Sequence, residues 1–293
     1  MGNAVSTRAD TVAGPHGPVP VRRYTPAEPT GCPPILWVHG GAFVKGDLDL
    51  PETHEVALAL ARTGFDVVTV DYRLVRGLRW PFRRTNGVRS RLGSGPAGAA
   101  RFGEHGRSIR YPVPVDDVLA ALTALQAEHP EGVILGGASA GACLSAGSVL
   151  RLAADGAPSV RGVFFAYGVF HAVLPKRSRE LLGRLRGRRR FTHVPVLLDL
   201  MNRFYAGSAA ALAEPFAFAG GHPLPGFPPA LLLDAESDSM RASGGQFGRE
   251  LAAAGGPVEY HVLAGTEHAF LNRPNDPGFA RAIELIGAWA ATR

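Results

Sequence analysis

Ser139 is the residue around which a chemistry can be built. It stands in Gly137-Ala138-Ser139-Ala140-Gly141, between an apolar run of strand character and a run of helical character. In that setting Gly-x-Ser-x-Gly reads as a nucleophile elbow. The turn is so sharp that only small residues fit beside the serine, and its hydroxyl is pushed out above a sheet. The helix that follows offers backbone amides and a positive dipole end to a developing anion. In a chain with 37 glycines the pentapeptide alone also fits a glycine-rich turn with a capping serine. Its place between strand and helix favours the nucleophile.

A serine hydroxyl needs a base to take its proton and a third group to orient that base. Three acids, Asp234, Glu236 and Asp238, close the run that begins Ala230-Leu-Leu-Leu. His268 lies in Gly265-Thr-Glu-His-Ala-Phe270, after a further apolar run. Singly, Asp238 also reads as a helix cap and His268 as a surface-loop histidine. What joins them is the order serine, acid, histidine, each beyond the carboxyl end of a strand, where open α/β sheets collect active sites. His39-Gly40-Gly41-Ala42 follows the first apolar strand, and glycines there let backbone N–H groups approach a carbonyl oxygen closely. The amides of Gly40, Gly41 and Ala140 are the expected oxyanion hole, where one lost donor costs about 100–1,000-fold in rate. His39 is expected to brace the loop.

These residues need a rigid frame. Short, nearly continuous apolar runs at 35–38, 67–70, 133–135, 163–166, 230–233 and 258–262 read as strands buried on both faces. Amphipathic stretches at 55–62, 115–127, 140–153, 244–254 and 279–291 alternate with them as helices. The alternation predicts a mostly parallel, doubly wound α/β sheet flanked by helices. Residues 11–24, with their Gly-Pro turns, read as an antiparallel edge hairpin. Two segments break the alternation. Residues 75–111 are rich in Arg and Gly with little periodicity. Residues 169–206 carry two apolar helical faces, one with Leu181, Leu182 and Leu185 and one over 196–204, and predict a small helical cap.

Composition narrows the function classes. Hydrophobic residues make up 46% and charged residues 19% of 293, and no apolar run approaches the ~18 residues that span a bilayer. The polar first ten residues lack the apolar stretch of a signal peptide, so a cytoplasmic location is expected. The net charge of +6 is unevenly spread. Nine arginines stand against one acid in 76–110, and seven arginines with Lys176 against Glu180 in 176–190. Clustered arginines attract phosphate, but there is no nucleic-acid-binding motif and few aromatics beyond Trp80, Phe82 and Phe102 to stack bases. No nucleic acid partner is expected. Arginines at a pocket rim could instead draw in an anionic ester. The ten histidines and two cysteines show no metal-ligand spacing and no phosphate-binding loop appears, so neither metal nor cofactor is expected.

The combination of His39-Gly-Gly-Ala42, Asp71-Tyr-Arg-Leu74, Gly137–Gly141, Pro228-Pro-Ala-Leu-Leu-Leu-Asp-Ala-Glu-Ser-Asp238 and Glu267-His-Ala-Phe270 resembles the hormone-sensitive-lipase-like bacterial esterases of the α/β-hydrolase fold. The resemblance runs from about Val19 to the last helix. It implies a hydrolase core over 1–168, with the arginine-rich insertion 75–111, a helical cap over 169–206, and the core completed over 207–293. It also implies Ser139, Asp238 and His268 as triad. Asp238 is preferred to Asp234 and Glu236 because Asp238-Ser-Met-Arg241 matches the family's acid-bearing stretch. The activity implied is hydrolysis of a small or medium carboxylic ester through an acyl-enzyme; the alternatives are an acyltransferase, lactonase or amidase with the same triad, or a binder that kept the fold. Homodimers occur in the family. Asp71 and Arg73 are implied scaffold residues near the active-site floor. Three departures stand out: Ala42 for the third loop glycine, Ala138 where an acid is usual, and Ala242 for a second acid.

Overall fold

The computed structural model describes residues 3–76, 109–185 and 194–293. Residues 77–108 of the arginine-rich insertion and 186–193 of the expected cap lie outside the described residues. The strands are β1 (Val5–Val12), β2 (Val19–Pro26), β3 (Ile35–Val38), β4 (Val67–Val70), β5 (Ile134–Ala138), β6 (Gly162–Ala166), β7 (Ala230–Ser237) and β8 (Val258–Glu267). The helices are α1 (Pro51–Arg62), α2 (Val113–Glu128), α3 (Ala140–Ala154), α4 (Arg179–Arg184), α5 (Pro195–Ala206), α6 (Ala209–Leu212), α7 (Arg241–Ala253) and α8 (Pro277–Ala290). Among the described residues the strands form one sheet, ordered β1-β2-β4-β3-β5-β6-β7-β8. It is antiparallel at β1–β2 and β2–β4 and parallel elsewhere.

The apolar runs became strands because both their faces are covered. In β3, Ile35 and Trp37 face one apolar layer while Leu36 and Val38 face the other, the period of two of a pleated strand. Helices α1 and α8 close the first layer with Val56, Leu60, Ile283, Ile286 and Trp289. Helices α2, α3 and α7 close the second with Val118, Leu122, Leu144, Val149, Phe247 and Leu251. Each such side chain, fully buried, contributes roughly 1.5–3 kcal/mol. The hairpin starts earlier than the expected residue 11. Strand β1 lies at the sheet edge with most side chains exposed, so its polar residues gave no apolar signal.

Strand order positions the site. After β3 the chain moves to β4 on one side, and β5 then joins β3 on the other. The loops leaving β3 and β5 therefore part in opposite directions, the switch point at which open α/β sheets bind ligands. The β3–β5 register pairs Val38 with Gly137, which brings His39-Gly40 alongside Ala138-Ser139. At the other edge β7 and β8 pair Ser237 with Glu267 across a register shift, so Asp238 and His268 emerge side by side. Between β6 and β7 lie α4, α5 and α6. Helix α5 sends Leu198, Tyr205 and Ala206 into the core, and Tyr205 stacks on Phe43 of the loop after β3 at 4.0 Å between ring centroids. No helix among the described residues is long and apolar enough to cross a membrane.

Candidate active site

Ser139 joins β5 to α3 with φ 50° and ψ −115°, a backbone region that costs on the order of 1–3 kcal/mol for a non-glycine residue. The turn closes only because its flanks are glycine. A Cβ on Gly137 would lie 2.5 Å from the Gly141 carbonyl oxygen, and one on Gly141 would lie 2.2 Å from that of Val38. The serine amide donates to the Ala166 carbonyl at 2.9 Å, which holds the turn to β6. The residue is buried, at 5% exposure.

The hydroxyl meets His268. Ser139 Oγ lies 3.1 Å from Nε2, and Nδ1 lies 2.6 Å from Asp238 Oδ2. This geometry calls for the tautomer protonated at Nδ1, which leaves Nε2 free to accept the serine proton. The Asp238 side chain is fully buried, and its Oδ1 accepts the Met240 amide at 3.0 Å. Burial acts to lower the imidazole's pKa, but the charge and hydrogen bond of Asp238, with help from Glu52, outweigh it. The pKa is raised above that of a free histidine even though Lys45 opposes the shift. Tyr167 presents itself edge-to-face to the imidazole at 5.0 Å and to Phe270 at 4.8 Å. Tyr167, itself held by Phe270, thereby limits where His268 can turn.

The other two acids go elsewhere. Asp234 is buried and accepts a hydrogen bond from Tyr260 Oη at 2.9 Å; desolvation drives its pKa well up despite that bond. Glu236 accepts the Gly265 amide at 3.0 Å and pairs with Arg184 at 2.9 Å. Of the three candidates, Asp238 alone has its carboxylate hydrogen-bonded to the imidazole.

The loop after β3 stands beside the nucleophile. His39 is buried, with Nδ1 2.7 Å from the Gly40 carbonyl and its ring stacked on Tyr72 at 4.4 Å. Tyr72 Oη donates to the carbonyls of His39 and Gly40 at 3.0 and 3.2 Å. His39 is thus a brace. Gly40, one of three expected oxyanion donors, gives its single amide proton to Glu52 Oε1 at 2.6 Å. Among the described residues the amides of Gly41 and Ala140 donate to no protein acceptor. Ala42 and Phe43 hold φ of 52° and 63°, so Ala42 occupies a conformation that glycine would adopt more easily. Ala138 lies in an apolar layer with Ile134 and Phe164. Arg73 braces the frame through α2 and the β1–β2 turn. It pairs with the buried Asp117 of α2 and donates to the carbonyls of His16 and Pro18.

Glu52 is the residue that sequence reasoning missed. Near the start of a helix it looks like an ordinary dipole-compensating acid, and nothing in its neighbours marks it as buried. A second Ser–His–carboxylate cluster, Ser243, His171 and Glu250, was also invisible in sequence. His171 lies 2.8 Å from Ser243 Oγ and 3.2 Å from Glu250. Ser243 is wholly buried and accepts the Phe170 amide at 2.8 Å, so the cluster has no room for substrate and ties α7 to the segment after β6.

The comparisons with known proteins agree with this architecture. A family model described as the alpha/beta hydrolase fold matches residues 108–272. The esterase LipI of Mycobacterium tuberculosis is 29% identical over 280 residues, covering 89% of this chain and 73% of its own length. The acetyl esterase of Salmonella typhi is 28% identical over 275 residues, covering 92% and 74%. A crystal structure of an esterase from the bacterial hormone-sensitive lipase family superposes with a TM-score of 0.76 at 20% identity, covering 100% of this chain and 86% of that one. At that identity the last likeness speaks for the fold.

Proposed function

This chain belongs to the α/β-hydrolase-fold family, and we propose that within it the chain is a serine esterase acting on small or medium carboxylic esters through an acyl-enzyme on Ser139. The observation that carries the proposal is the continuous relay from Ser139 Oγ through His268 to Asp238, at 3.1 and 2.6 Å. Relatives named as esterases support the choice of ester over other acyl compounds.

His268 Nε2 takes the Ser139 proton as Oγ attacks the ester carbonyl, and Asp238 stabilises the imidazolium and holds its tautomer. The tetrahedral oxyanion is met by the amides of Gly41 and Ala140, with the positive end of α3 behind them. His268 then protonates the departing alcohol. Water repeats the sequence on the acyl-enzyme and releases the acid. Helix α5 rests on Phe43 of the loop after β3 through Tyr205, so that movement of one would be felt by the other.

The test is hydrolysis of p-nitrophenyl acetate and butyrate by the wild type and by Ser139→Ala. Turnover that disappears in the variant supports the reading. Equal rates in the two proteins, with no covalent labelling of Ser139, would remove it.

A further inference from the structure

We propose that Glu52 is a positioning residue of this esterase site, whose buried carboxylate fastens the oxyanion loop to the histidine loop and faces the imidazolium that His268 becomes. The inference rests on the esterase reading and extends it to a residue outside the triad.

The geometry is that of a hub. Glu52 is 2% exposed. Its Oε1 accepts the Gly40 amide at 2.6 Å, and its Oε2 accepts Tyr167 Oη at 2.5 Å and Asn272 Nδ2 at 3.1 Å. Its own amide donates to Asn272 Oδ1 at 3.3 Å, and its carbonyl accepts Trp37 Nε1 at 2.8 Å. One side chain thus joins the loop after β3, the residue that follows β6 and the short 3₁₀ helix Phe270–Asn272 that follows His268. A Cβ placed on Gly40 would lie 2.7 Å from Glu52 Oε1 and 2.9 Å from Ser139 Cβ. The carboxylate and the nucleophile therefore flank the same glycine.

An acid that merely complemented the dipole of α1 would do so from solvent. Burial of a carboxylate is tolerated only when its lone pairs are met, and here three donors from three different segments meet them. Two consequences follow. Fixing the Gly40 amide holds the His39–Gly40 peptide, one unit before the one that carries the Gly41 N–H, the proposed oxyanion donor. A fixed negative charge also favours imidazolium over imidazole. Among the described residues the charged groups that act on His268 include Asp238 and Glu52, which favour its protonated form, and Lys45, which opposes it; the Tyr167 ring edge packs against the imidazole.

The experiment compares pH profiles of p-nitrophenyl butyrate hydrolysis for the wild type, Glu52→Gln, Glu52→Asp and Tyr167→Phe, with thermal unfolding of each. Glu52→Gln keeps the shape and removes the charge. Its kcat is expected to fall by roughly 10–100-fold with KM within about 2-fold, because the lost interaction matters in the transition state. The acid limb of its kcat/KM profile moves down by about half a pH unit or more, as removal of a nearby negative charge requires. Glu52→Asp, with the charge retained, restores the limb. If Glu52→Gln does not fold, Tyr167→Phe carries the test. It keeps the charge and removes the shorter of the two hydrogen bonds to Oε2, so kcat falls while the limb stays in place. A limb that does not move in folded Glu52→Gln, or an unchanged kcat in Tyr167→Phe, overturns the proposal. Loss of all turnover in the wild type would instead strike the esterase reading itself.

Discussion

Replacing Asp238 by asparagine separates its charge from its shape. Both oxygens of the carboxylate are engaged: Oδ1 accepts the Met240 amide at 3.0 Å and Oδ2 lies 2.6 Å from His268 Nδ1. An asparagine has one oxygen for these two demands. If the oxygen stays on Met240, the NH2 faces Nδ1 and forces the proton onto Nε2, where it cannot accept from Ser139. If the side chain turns over, the tautomer is right but two buried donors face each other, at about 1–3 kcal/mol for the unsatisfied one. In either case the charge that stabilises the imidazolium is gone, a further loss of roughly 2–3 kcal/mol for a hydrogen bond to a charged group. Together these are about 3–6 kcal/mol, or roughly 10²–10⁴-fold in kcat. The assay is single-substrate kinetics on p-nitrophenyl butyrate at pH 8, with Asp234→Asn and Glu236→Gln beside it, both expected within about 3-fold of wild type because neither acid contacts the imidazole. The reasoning is refuted if Asp238→Asn keeps more than about a tenth of wild-type kcat, or if Glu236→Gln loses as much.

Three other outcomes are expected. The kcat/KM of the wild type should rise with pH through a midpoint above the free-histidine value of about 6.5, since Asp238 and Glu52 raise the pKa of His268 against burial and Lys45, and catalysis needs the deprotonated ring. A midpoint below that value contradicts it. Gly41→Ala must place a Cβ 1.9 Å from the Lys45 carbonyl at a φ of +113°, so the loop shifts and kcat falls by at least about 100-fold, as for a lost oxyanion donor, measured against an unfolding temperature that changes little. Asp234 binds its proton more tightly folded than unfolded, because desolvation drives its pKa well up. Wild-type stability is therefore diminished as pH rises above the ordinary carboxylate range. Asp234→Asn removes that penalty, so its unfolding temperature should exceed that of wild type at pH 8 and the gap should close toward pH 4; a gap independent of pH refutes the assignment.

The parts of this molecule that sequence disclosed are those written in short-range pattern. Runs such as Ile35–Val38 and Val67–Val70 are buried along their whole length, and that made them legible. The elbow and His268 were legible because a sharp turn demands glycine and a triad demands an order. Strand β7 runs on to Ser237, past the expected end at Leu233. Its continuation holds Asp234 and Glu236, acids that interrupt the apolar signal, and burial raises the pKa of Asp234. Strand β8 runs to Glu267 with several exposed side chains, as the far edge of the sheet permits. Glu52 could not be read at all. Its meaning comes from Tyr167 and Asn272, which lie 115 and 220 positions away in the chain, and no local pattern encodes such a meeting.

The central claim is that Ser139 becomes acylated. The most direct measurement is intact-protein mass after treatment with a fluorophosphonate, followed by peptide mapping, for the wild type, Ser139→Ala and Ser243→Ala. The account predicts one adduct per chain on Ser139, absent from Ser139→Ala and retained in Ser243→Ala. An adduct on Ser243, or undiminished labelling of Ser139→Ala, would contradict it.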